Sequence, residues 1–146
     1  MGLKKDSKRQ SERGQSLTEL AISFTVLVLL LAVLVDAGRA FFSYLAVREA
    51  AEEGAVYGSL NPADDAGIID RVRTSSSAPV NLADTTAVTV TPLVVGTACA
   101  DGSNQIRVTV RYMFDLTMPF LSSIIGTNQF PLTLSATSTI LTPACP

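Results

Sequence analysis

Hydrophobic and polar positions change their period once along this chain, and the change divides it. From Leu20 to Val35 runs LAISFTVLVLLLAVLV, sixteen residues without a charge, bounded by Glu19 and Asp36. That run is slightly short for a membrane span, so Gln15–Thr18 or residues after Asp36 must help to cover a hydrocarbon core of about 30 Å. Beyond Gly38 and Arg39 the pattern stays helical through AFFSYLAVREAAEEGAVYGS, rich in Ala and Glu, with no proline before Asn61-Pro62. One helix from about Ser16 to about Tyr57 is expected, roughly 60 Å long at 1.5 Å per residue.

The second half of that helix is amphipathic. Phe41, Tyr44, Leu45, Arg48, Ala51, Ala55 and Val56 follow three- and four-residue steps and predict a stripe that docks on the following domain. Glu49, Glu52 and Glu53 share the opposite side, most simply a solvated face. Asn61–Pro79 reads as a connector, punctuated by Asn-Pro, Asp64-Asp65 and Ser75–Ser77; Ile68–Val72 could form a short helix, but little core is expected there.

After the connector the period becomes two. Residues 87–91, 106–112 and 132–140 each alternate an apolar with a polar face and predict three strands. Ala100–Asn104 supplies turn chemistry between the first two, and Met118–Gln129 is an apolar excursion between the second and third. The apolar face of the sheet needs a cover, and the helix is the only large partner. The expected fold is therefore α+β, a long N-terminal transmembrane helix whose C-terminal half packs on a small antiparallel sheet. Its expected divisions are a leader over 1–14, the helix over 15–60 with a span at about 17–38, a connecting region over 61–86, and a sheet domain over 87–146.

Charge adds a direction to this picture. Residues 1–14 hold five basic side chains against two acidic ones, a net charge of +3, and the remaining six basic against eleven acidic residues leave −5. Basic residues beside an apolar run favour a cytoplasmic N-terminus and an extracytoplasmic body. An acidic body repels phosphate, so no nucleic-acid partner is expected. The leader, polar and without periodicity, is expected to be disordered in water.

The chain of 146 residues suffices for one small domain and one membrane helix. It contains no histidine, which excludes histidine-based catalysis and the usual zinc sites. Ser75–Ser77 have no histidine partner, Asp64-Asp65 has no evident companion ligands, and no glycine-rich phosphate loop occurs. The chain is not expected to be an enzyme or to hold a cofactor. Cys99 and Cys145, in a domain outside the cytoplasm, could pair; closing so long a loop would stabilise by about 4 kcal/mol. Two free thiols are the alternative.

The most informative stretch is Arg13-Gly14-Gln15-Ser16-Leu17-Thr18-Glu19-Leu20, where a basic leader ends in glycine and a lone carboxylate stands at the edge of hydrocarbon. A charge there costs several kcal/mol unless it is paired or snorkels. Its plain reading is an interfacial carboxylate near the helix start, held by the helix dipole beside Ser16 or Thr18. The segment also resembles the class III signal of type IV prepilins. That resemblance implies cleavage after Gly14 by a prepilin peptidase, Gln15 as the new N-terminus, and Glu19 as the carboxylate that sets register against a neighbouring subunit's ammonium.

The resemblance extends further. Arg13-Gly14-Gln15 with Glu19, then Asp36, Gly38 and Arg39, then Arg48-Glu49-Ala50-Ala51-Glu52-Glu53-Gly54-Ala55 look like the N-terminal half of TadE-like proteins of tight-adherence pilus systems. Val108-Thr109-Val110 with Tyr112, Pro119-Phe120-Leu121 and Leu134–Thr137 fit the outline of that family's C-terminal half. Leu20 departs from it, because these pilins often carry an aromatic residue directly after the glutamate. The family implies a structural subunit, a minor pilin or pseudopilin or a main fibre subunit. Its implied partners are other pilin subunits, the prepilin peptidase, an inner-membrane assembly platform and membrane lipid. The implied location is the bacterial inner membrane, then a pilus or periplasmic pseudopilus.

Asp36 and Arg39, three residues apart, can pair at the outer interface, as a plain surface ion pair or as a subunit contact. Gly38, Gly54 and Gly58 each weaken a helix by about 1 kcal/mol, which close helix approach or local melting would explain. Two rival readings place the chain outside filaments. One is a secreted domain cut near Val35-Asp36-Ala37, and the other a single-pass adaptor that keeps its leader.

Overall fold

The structure, a computed structural model, describes residues 6–96, 104–117, 123 and 126–141, with side chains from residue 14 onward. Cys99, Cys145 and Pro119-Phe120-Leu121 lie outside the described residues. The chain divides into two compact units, Met1–Ala37 and Gly38–Pro146.

Helix α1 runs Asp6–Leu60, longer at its start than the sequence pattern predicts. The leader residues from Asp6 on are helical, not irregular: SKRQSER consists of tolerable or good helix formers without proline, and an existing helix adds residues more easily than it nucleates. At the other end Asn61-Pro62 stops it, because proline disfavours helical backbone in the residue before it.

In the first unit the apolar stretch of α1 stands bare. Leu17, Leu20, Ile22, Phe24 and the valines and leucines through Val35 are all exposed, whereas Asp36 is buried. The helix has one apolar window with mean hydropathy 2.6, long enough to cross a membrane.

The second unit is built on the rest of α1. A helix α2, Asp65–Thr74, follows, then strands β1 Val88–Val95, β2 Gln105–Asp115 and β3 Gln129–Thr139. The strands form an antiparallel meander in the order β1-β2-β3, with Val90 opposite Val110 and Val110 opposite Leu134. The long helix packs on this sheet, giving an α+β fold. Each strand extends beyond its alternating segment. β1 continues through Pro92, tolerated because an edge strand has a free side where the missing N–H does no harm.

The helix face that packs is not the stripe of large residues. Phe41, Tyr44, Arg48 and Val56 are exposed, and of the expected stripe only Ala51 and Ala55 are buried. The buried face is Ser43, Ala46, Val47, Ala50, Ala51, Gly54, Ala55, Gly58 and Ser59. Small side chains let the sheet come close. A Cβ on Gly54 would stand 2.5 Å from Val72 Cγ2 and 3.2 Å from Val108 Cγ1, and one on Gly58 would stand 2.7 Å from Ile106 Cδ1. Gly38 has open space around it, so close approach explains Gly54 and Gly58 but not Gly38.

The connector also carries more core than its punctuation implies. Ile68 and Val72 of α2, and Val80 and Leu82 after it, are fully buried against Ile106, Val108 and Val110 of β2. Burying each such side chain is worth about 1.5–3 kcal/mol. The end of β3 is tied back to α1 where the Leu141 N–H donates to the Ser59 carbonyl at 2.9 Å.

Candidate functional site

The residues that end the basic leader sit on an uninterrupted, exposed helix. Gly14 and Gln15 are exposed, and a side chain on Gly14 would meet nothing within 4 Å. Among the described residues no packing requires glycine there, although it costs the helix about 1 kcal/mol relative to alanine. Gln15 Nε2 donates to Glu19 Oε1 at 3.2 Å, one helical turn on, and the Thr18 hydroxyl donates to the Gln15 carbonyl at 2.8 Å. Glu19 thus has a neutral partner from Gln15 and stands among exposed Leu17, Leu20 and Ile22. In hydrocarbon this arrangement leaves a carboxylate without a countercharge on its own helix turn, an expensive state that a cation from outside would relieve.

In the second unit Arg39 is engaged by the sheet domain. Its guanidinium donates to the Thr117 hydroxyl and stacks over the Phe114 ring, 5.5 Å from the centroid. Stacking of this kind fits a planar guanidinium and adds about 0.5–1 kcal/mol at an accessible site. Phe114 is itself buried and packs against Phe130 with centroids 5.1 Å apart. Arg39, Phe42, Ser43, Pro79, Tyr112 and Phe114 line a cleft of about 220 Å³.

A polar cluster that sequence reading passed over fastens α2 to α1. Asp64 caps α2 by accepting the Gly67 N–H at 3.0 Å, and the Tyr57 hydroxyl donates to its other oxygen at 2.9 Å. The Gly67 amide first, then the Tyr57 hydroxyl, hold the Asp64 carboxyl below the usual carboxylate range, while the same carboxylate pushes the Tyr57 phenol up. Arg71 reaches Glu53 at 2.8 Å, so the acidic side of α1 is partly an anchoring face. The signal was present in the sequence as an aspartate three residues ahead of Gly67, an N-cap pattern read there as loop punctuation. Among the described residues no group of three or more His, Cys, Asp or Glu could hold a metal ion.

Comparison with known proteins finds the TadE-like protein family over residues 14–56, a match that opens at Gly14 and ends within the packed part of α1. No curated protein and no solved structure matches the chain.

Proposed function

From the premise that residues 14–56 are TadE-like, and so tie the chain to tight-adherence pili, we propose that it is a structural pilus subunit, a minor pilin or pseudopilin. It enters the inner membrane through its apolar helix with the basic leader in the cytoplasm and the sheet domain outside. A prepilin peptidase cuts after Gly14, and the new ammonium at Gln15 neutralises Glu19 of an adjacent subunit when helices bundle during assembly. Asp36 and Arg39 mark the outer edge of the span. The role is structural, without catalysis or cofactor.

The observation that carries this reading is the bare apolar helix from Leu17 to Val35 with one carboxylate, Glu19, five residues beyond a glycine that no packing among the described residues demands. A helix of this kind is complete only when lipid or other helices cover it. Its charge needs a partner that its own turn does not supply.

Intact-mass and first-peptide mass spectrometry of the protein from its native membrane tests the cut. A start at Gln15, followed by loss of assembly in Glu19→Ala, supports the proposal. A start at Gly38 would identify a secreted domain, and an uncut chain beside an active peptidase would identify a permanent membrane adaptor.

A further inference from the structure

The outer face of the sheet carries the two arginines of the second unit that the fold does not use. That unit has six arginines against nine carboxylates, a net charge of −3. Arg39 is held by Thr117 and Phe114, Arg48 by Glu52, Arg71 by Glu53, and Arg73 reaches the Ala83 carbonyl. Arg107 and Arg111 are exposed and have no hydrogen-bond or ion-pair partner among the described residues.

Register places them in a specific setting. Both lie on central strand β2 and face away from α1, because alternate residues Ile106, Val108 and Val110 point into the core. Arg111 is flanked by Thr89 and Thr133, and Arg107 by Leu93 and Thr137, with Thr91, Thr109 and Ser135 in the row between. Four residues of strand separate the backbone positions of the two arginines by about 14 Å. The three strands contain one carboxylate, Asp115, at the end of β2, where it accepts from Gln129 Nε2 at 2.6 Å.

We infer that this face binds a linear acidic polysaccharide, with Arg107 and Arg111 pairing to carboxylate or sulfate groups and the threonine rows bonding to sugar hydroxyls. Charge complementarity selects an anion: two unpaired guanidiniums stand on a face whose one carboxylate, Asp115, lies at the end of β2 and already accepts from Gln129, on a body that is otherwise acidic. Guanidinium forks bind such groups bidentately. The neighbours select a polyol over a protein partner, because between the two arginines the outward positions carry Thr91, Thr109 and Ser135, and the face, which also holds Leu93 and Met113, has no aromatic ring, whereas protein interfaces concentrate aromatic anchors at their centre. A strand scaffold holds these groups in fixed register. The inference does not rest on the pilus reading.

The test is binding of alginate, a linear polyuronate, to the full chain in detergent micelles, with dextran as the neutral control and polyglutamate as the acidic polypeptide. Alginate is expected to bind, more weakly at high salt, and dextran not to bind. Arg107→Gln with Arg111→Gln should weaken binding roughly tenfold or more with an unchanged thermal melt. Arg48→Gln with Arg71→Gln, which removes the same charge elsewhere, should leave it intact. Absence of alginate binding, equal loss in the two double variants, or polyglutamate binding as tight as alginate would each overturn the assignment.

Discussion

The two halves of α1 solve opposite problems with the same backbone. Between Leu17 and Val35 the side chains are large, apolar and exposed, whereas between Ser43 and Ser59 the buried ones are mostly alanine, glycine and serine. The first half presents bulk to whatever surrounds it, and the second removes bulk so that a sheet can approach. Apolar size therefore marks the part of this helix awaiting an outside partner, while smallness marks the part that already has one. Phe41, Phe42 and Val56 belong by this criterion with the first half, since all three are more than half exposed.

The contrast can be broken from either side. Phe114→Ala removes a buried ring near the end of β2, beside Phe130 and under Arg39. It should cost about 3–5 kcal/mol in chemical denaturation while leaving membrane fractionation unchanged. Leu27→Arg does the reverse: a charge at mid-span costs about 2.5–3.5 kcal/mol of insertion. Membrane partitioning should fall without a shift in the unfolding of the second unit.

Glycine substitutions sharpen the comparison within one helix. Gly54→Ala forces a methyl against Val72 and Val108, a clash that outweighs the gain in helix propensity, and should destabilise by about 1–2 kcal/mol. Gly38→Ala meets open space and should stabilise by up to about 1 kcal/mol. Denaturation midpoints of the two variants must move in opposite directions if packing distinguishes these glycines.

The smallest effect is a pH dependence confined to the second unit. Asp64 and Asp84 are held below their ordinary value of 3.8, Asp64 by the Gly67 amide and Asp84 by the Thr86 hydroxyl. Their stabilisation is fully present above the unfolded value and is lost as pH falls through the depressed folded values. Tyr57 has the opposite sign: its raised phenol contributes below its ordinary value of 10.0 and fades as pH rises through the folded one. Asp64→Ala with Asp84→Ala should flatten the acid limb of a stability profile, read by thermal melts between pH 2 and 5.

What could be read in advance follows from where the determining forces are local. The apolar run, the Pro62 stop and the alternation of Val and Thr fix a long helix and three strands through periodicity and backbone sterics alone, and these elements stand in the structure. The candidate site at Gly14, Gln15 and Glu19 is likewise a reading of a short contiguous motif at a charge boundary, and the N-terminal mass measurement is what tests it. The docking face of α1 was misread by rotation, since periodicity ranks residues by hydropathy and Phe41, Tyr44 and Val56 outrank Ala46, Ala50 and Gly54. The core role of Ile68 and Val72 was missed because a ten-residue helix between loop signals has little pattern of its own.

By itself, then, the sequence determined the period of each segment, the polarity of the two ends and the exposed chemistry of the leader boundary. Those properties depend on neighbours a few positions away. Only the tertiary structure decided which helix face meets the sheet, which glycines must stay glycine, that Asp64 joins Tyr57 to α2, and that Arg107 and Arg111 alone among the second unit's arginines stay unpaired among the described residues. The docking face and the constrained glycines come from contacts between residues far apart in the chain, set by side-chain volume and strand register. No local pattern encodes such distances.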